Sequence, residues 1–154
     1  MDLDKLVEAL DNEENSKFID LTTKKIQKIK QDILTELEIP KIKIKEMMKK
    51  LKEYMYIDDM SELRYGSYIK WIYIKEDKNE DENEDENEDD ADNDLYLTSG
   101  GILCDIKIVD SGIHLCCKNF AHKHFQLKME ENLIFQKLTS QEQVLLLALD
   151  QISK

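Results

Sequence analysis

Five residues with metal-ligand side chains fall within eleven positions: His114, Cys116, Cys117, His122 and His124. Imidazole and thiolate are the donors that zinc prefers. The spacing argues against a zinc site. Structural sites repeat C-x₂₋₄-C and H-x₃₋₅-H, and neither occurs here. Strand alternation also turns Cys117 inward while His114 and Cys116 point outward. We therefore assign no metal ligands and no cofactor, and read Cys104 and Cys117 as small buried hydrophobes. No Ser/His/Asp set, paired carboxylates or glycine-rich phosphate loop is legible, so no catalytic residue is assigned. The expectation is a non-enzymatic protein. The rival is an enzyme whose site gathers dispersed residues such as His114 and His122.

Lysine supplies a second chemistry. Residues 24–52 carry ten lysines against four acids. Lys41, Lys45, Lys49 and Lys52 form a helical stripe able to contact phosphates. Further along, Lys70, Lys107, Lys118, Lys123 and Lys128 are interleaved with Tyr68, Trp71, Tyr73, Tyr96 and Phe120. Aromatics among lysines on a sheet face can stack the bases of single-stranded nucleic acid. The plainer reading makes the aromatics core and the lysines solvated. Lys41, Lys45, Lys49, Lys52, Lys70, Trp71, Lys118 and Lys123 are the candidate nucleic-acid contacts. DNA or RNA is the expected partner.

The whole chain has a net charge of −12, and that entire imbalance lies between Glu76 and Asp94. This run holds 13 acids and a single lysine, Lys78. Asn79-Glu80-Asp81-Glu82 recurs almost unchanged twice more. With no apolar residue larger than Ala91, the run cannot offset the entropy of ordering, so it reads as a disordered acidic insertion. A basic protein is its natural partner. Calcium is not expected, since no D-x-[DN]-x-[DN]-G loop follows. Lysine outnumbers arginine 21 to 1, with Arg64 alone. Electrostatics gives no reason to avoid the better phosphate clamp. An A+T-rich coding sequence explains Lys, Ile and Asn enrichment together.

The elements that position these groups change period partway along. Residues 1–60 read as helical. Leu3, Leu6, Val7 and Leu10 make a short stripe. Ile26, Ile29, Ile33 and Leu37 mark a helix over about 22–37, which Pro40 stops. Ile44, Met47, Met48, Leu51 and Met55 mark another over about 42–54. Beyond Met60 the period is 2. Strands are expected over 67–75, at 95–97, over 102–109, over 113–118, over 123–129 and at 133–135. Ser99-Gly100-Gly101 bends the chain, and Asp110-Ser111-Gly112 makes a hairpin turn. Thr139 or Ser140, with Glu142 or Gln143, makes a capping box for a helix through Ile152. The fold class is α+β, with a helical segment (1–60), a small antiparallel SH3-like or OB-like partial barrel (61–138) and a C-terminal helix (139–154).

Residues 32–57, around Asp32-Ile33-Leu34-Thr35-Glu36-Leu37-Glu38-Ile39-Pro40, resemble the second and third helices of winged-helix domains. Glu38 stands where that family often has a turn glycine. No Arg, Asn or Gln is placed to read base edges. A second resemblance runs from Tyr56 to Ile72, with Gly100-Gly101-Ile102 and Leu133-Ile134-Phe135-Gln136-Lys137-Leu138. These segments are similar to small uncharacterised proteins of giant nucleocytoplasmic DNA viruses. There a G-x-Y-I-[RK]-W/Y strand precedes a G-G strand, and the likeness spans residues 56–138 outside the acidic run. It implies a viral setting and no assigned activity.

Three cysteines without an apolar leader read as reduced thiols in an intracellular protein, in host cytoplasm or nucleus if viral. No stretch is apolar enough for a membrane span. The expected function is a binding or regulatory module associated with nucleic acid. The alternative is a protein–protein assembly module.

Overall fold

The computed structural model describes residues 3–13, 21–74 and 95–152. The acidic run Glu76–Asp94 lies outside them. Among the described residues the architecture is α+β: three helices, six antiparallel strands and a C-terminal helix. The helices are α1 (Leu3–Asp11), α2 (Thr23–Thr35), α3 (Lys41–Lys50) and α4 (Ser140–Ile152). The strands are β1 (Tyr54–Ile57), β2 (Tyr68–Tyr73), β3 (Gly101–Val109), β4 (Gly112–Lys118), β5 (His124–Lys128) and β6 (Asn132–Lys137). They lie in the order β1-β6-β2-β3-β4-β5, so the sheet is open with β1 and β5 at its edges. After the β4–β5 hairpin, a 3-10 turn at Met129–Glu131 returns the chain to place β6 between β1 and β2.

The sheet buries both faces. On one, Tyr54, Ile72, Leu133 and Phe135 pack against Leu34, Ile39, Ile44, Met47 and Leu51 of the α2–α3 unit. On the other, Ile57, Ile69, Leu103, Leu115, Cys117 and Ile134 form a second cluster with Trp71, Leu127 and Leu63. Trp71 on β2 meets Phe125 on β5 with ring centroids 6.4 Å apart. Three strand spacings of about 4.8 Å would separate them by about 14 Å on a flat sheet. The sheet therefore curls toward this second face. A third cluster joins Ala9 of α1 and Ile26 of α2 to Leu138, Leu145 and Leu146.

Several local expectations change. The third helix ends at Lys50, not near residue 54, and Tyr54-Met55-Tyr56-Ile57 is a strand paired with β6. Tyrosines alternating with the apolar Met55 and Ile57 suit a pleat with both faces covered. The inward stripe of α2 is Ile26, Lys30 and Leu34, while Ile29 is exposed. Lys30 lies inward because its amine reaches the Leu51 carbonyl at the end of α3, 2.5 Å away. A bulge between Leu103 and Asp105 shifts the β3 register. It puts Leu103 and Ile106 on the buried face and leaves Cys104 exposed, against the expectation that Cys104 is core. Cys117 is buried as expected.

The expected turns and caps are present. Gly100 has φ +85°, and a methyl group there would collide with the Ile69 carbonyl oxygen. Only glycine lets β3 start this close to β2. Thr139 and Glu142 form the reciprocal capping box of α4: Thr139 Oγ1 accepts from the Glu142 amide, and Glu142 Oε1 accepts from the Thr139 amide.

Arg64 stands where a guanidinium has several partners. Its Nη1 and Nη2 meet the two carboxylate oxygens of Glu142 at 3.0 and 3.3 Å, and Nη2 also donates to the Lys137 carbonyl. Beside it, the buried Gln136 amide accepts from the Arg64 amide and Ser67 Oγ and donates to the Glu62 carbonyl. Six hydrogen bonds thereby tie the β1–β2 connection to β6 and α4. A lysine could satisfy only part of this fork.

Candidate nucleic-acid interface

The helices α2 and α3 cover the first sheet face over β1, β6 and part of β2. Strand register shows what the uncovered remainder carries. One row across the sheet is Tyr68, Ile102, Lys118, His124. The next is Asp105, Cys116, Gln126, and the third is Lys107, His114, Lys128. Lys70 flanks the first row on β2. Among these eleven side chains, four are lysines and one is acidic. Lys128 pairs with Glu131 at 3.7 Å. Among the described residues, Lys70, Lys107, Lys118 and Lys123 have no ion-pair partner. The bulge in β3 keeps Lys107 on this face beside His114.

The positive field extends toward α3. Burial lowers the Lys70 pKa, and the Lys50 and Lys137 charges lower it further. Lys70 also lies over the Tyr54 ring, 5.2 Å from its centroid. Burial raises the Tyr54 pKa, with Tyr68 and Glu53 adding to the effect. Lys50 and Lys137 are thus part of the charged surface, and the sequence reading missed both. Lys50 falls on the sheet-facing flank of α3, which only the packing of Ile44, Met47 and Leu51 reveals. The Lys137 signal was local: period 2 from Leu133 and Phe135 points it to the helix-covered side, at its rim.

The structure does not bring all the candidate contacts together. Lys70 and Lys118 share the uncovered face, and Lys123 lies in the β4–β5 turn beside it. Lys41 and Lys45 line a groove of about 430 Å³ between α2 and α3, with Gln31, Thr35 and Met48. By helical spacing Lys49 is outermost on α3 and Lys50 is opposite, while Lys52 lies in the turn after α3 and lines a separate groove with Thr23, Gln27 and Leu138. Trp71 lies on the other side of the sheet from Lys70, half-buried against Phe125. It belongs to the core of the curl, so the aromatics of the lysine face are Tyr68 and Phe120.

The histidine and cysteine chemistry is similarly divided. His114 Nδ1 is 2.7 Å from Gln126 Nε2, and its Nε2 is 3.0 Å from Ser111 Oγ. Both ring nitrogens are engaged. Among the described residues, no three His, Cys, Asp or Glu side chains are grouped to hold a metal ion. Burial pushes the Cys117 thiol up to about 12, with Cys104 and Cys116 adding to the effect. Two clefts of about 660 and 670 Å³ lie at the β1–β2 connection and beside the Met129–Glu131 turn. Neither is lined by His114 or His122. The first is lined by Glu13, Asp58, Glu62 and Glu142, with Arg64 already committed to Glu142. That lining repels phosphate.

Comparison with family models, curated proteins and solved structures found no match to this chain.

Proposed function

We propose that the protein is a non-enzymatic nucleic-acid-binding module whose contact surface is the uncovered sheet face. The observation that supports this most is that Lys70, Lys107, Lys118 and Lys128 share one face of four neighbouring strands, with Asp105 as the only acid in the rows they occupy. Lysines clustered on a rigid sheet bind a phosphate backbone mainly by releasing its condensed counterions. Lys50 and Lys137 add to the same field. The 12 net negative charges of residues 76–94 oppose a polyanion and tune its access within about 10 Å at 0.1 M salt. The resemblance implies a viral setting, and with the nucleic-acid reading the proposed role is in viral nucleic-acid transactions.

Charge reversal tests the surface. Lys70→Glu with Lys118→Glu should weaken binding of a labelled oligonucleotide at least tenfold, measured by fluorescence anisotropy. Reversal of Lys41 and Lys45, in the groove between α2 and α3, should have a much smaller effect. Equal losses from both pairs would move the contact surface to α3.

One observation favours the assembly reading. Leu3, Val7 and Leu10 follow one another at i, i+4 and i+7 on α1, and all are exposed. Such a stripe fits an apolar partner. Sedimentation of the wild type and of Val7→Glu would show whether it joins copies of the chain.

A further inference from the structure

Building on the nucleic-acid reading above, we propose that Tyr68 and Phe120 form a stacking platform that selects single-stranded over double-stranded nucleic acid.

Phe120 is 78% exposed, the most for any large hydrophobic residue here along with Ile152. A phenyl ring this exposed buries little area for the fold, yet this one is held in place. The β4–β5 turn is pinned by Asn119, whose Oδ1 accepts from the Ala121 and Lys123 amides, both at 2.9 Å. The Asn119 backbone closes the same turn through the Lys123 carbonyl and the His122 amide. His122 takes φ +63° to complete it. The turn carries the Phe120 ring back across Ile102 to Tyr68, with centroids 5.4 Å apart and planes at 35°. Tyr68 begins the row Tyr68, Ile102, Lys118, His124, so the two rings stand over the lysine face itself.

This arrangement matches one class of polyanion. In a duplex the base faces are stacked on each other and unavailable to a side chain. A single strand offers every base as a π-face, and rings on a basic surface take it. Lys118 and Lys123 flank Phe120 in the chain, and Lys70 stands two residues from Tyr68, so phosphates on either side of a stacked base meet a cation. The face holds few groups for reading base edges. Gln126 is bonded to His114, so the platform should tolerate any sequence.

The test uses the full chain and two probes of one length, a single-stranded oligonucleotide and its duplex, at one salt concentration. The single strand should bind at least tenfold more tightly. Phe120→Ala should weaken single-strand binding about ten- to a hundredfold, the usual effect of losing one base–aromatic stack. It should leave duplex affinity and the melting temperature unchanged. Phe120→Leu keeps the apolar bulk but lacks the π-face, and should fail like alanine. Equal affinity for the two probes, or a preference that survives Phe120→Ala, overturns the platform and leaves the nucleic-acid reading standing. No binding of either probe removes both.

Discussion

Arg64 is where a single substitution should be felt most clearly. Arg64→Met removes the fork to Glu142 and the bond to the Lys137 carbonyl, and leaves the Glu142 carboxylate facing a buried surface. Breaking a fully buried pair costs about 3–5 kcal/mol. The Arg64 side chain is 31% exposed, so water replaces part of the loss and about 2–3 kcal/mol is the expected cost. Arg64→Lys keeps the charge but not the fork, and should cost about 1–2 kcal/mol. Glu142→Gln preserves the capping box while removing the charge, so it isolates the ion pair. Urea unfolding is the assay: with a slope of about 2 kcal/mol/M, Arg64→Met should lower the midpoint by about 1 M. The double variant should show at least about 1 kcal/mol of coupling. A midpoint for Arg64→Met within about 0.2 M of wild type, or strictly additive effects, would refute this account of the lone arginine.

Three further outcomes are expected. Burial lowers the Lys30 pKa to about 8, so between pH 8 and 10.5 the unfolded chain binds the extra proton and stability rises with pH; Lys30→Met should be the more stable protein at pH 7 by about 1–3 kcal/mol, and melts at pH 7 and 10 should show the gap closing. Glu38 holds φ +59° between α2 and α3, so Glu38→Gly should raise stability by about 0.5–1 kcal/mol in the same melts. Cys104 is exposed while Cys117 is buried with its thiol pushed up to about 12; native-state alkylation followed by peptide mass spectrometry should label Cys104 and spare Cys117.

Period and punctuation made much of the fold readable. The change from 3.6 to 2 after Met60, the glycines at 100 and 112, and the Thr139–Glu142 box each specify local geometry that survives packing. What stayed hidden depends on neighbours distant in sequence. Tyr54–Ile57 became a strand because β6 arrives from 80 residues later to pair with it. The β3 bulge exchanged the faces of Leu103 and Cys104 without any local turn residue to announce it. Lys30 looked solvated because its partner is a backbone carbonyl. The candidate site was legible as composition, lysines among aromatics, but not as geometry. Both faces of β2 carry aromatics, so alternation alone could not say that Trp71 belongs with the core while Tyr68 belongs with the lysines.

Salt dependence tests the central claim most directly. Four lysines engaging phosphates should give a slope of log K against log salt of about −3 for a single strand. Lys70→Glu with Lys118→Glu should reduce that slope by about half. Replacing residues 77–93 with a short Gly/Ser linker should strengthen binding, because it removes most of the opposing charge, and should leave the melting temperature within a few degrees. The account predicts measurable affinity at low salt, falling along that slope. Absence of binding by both the full chain and the linker variant at low salt would contradict it.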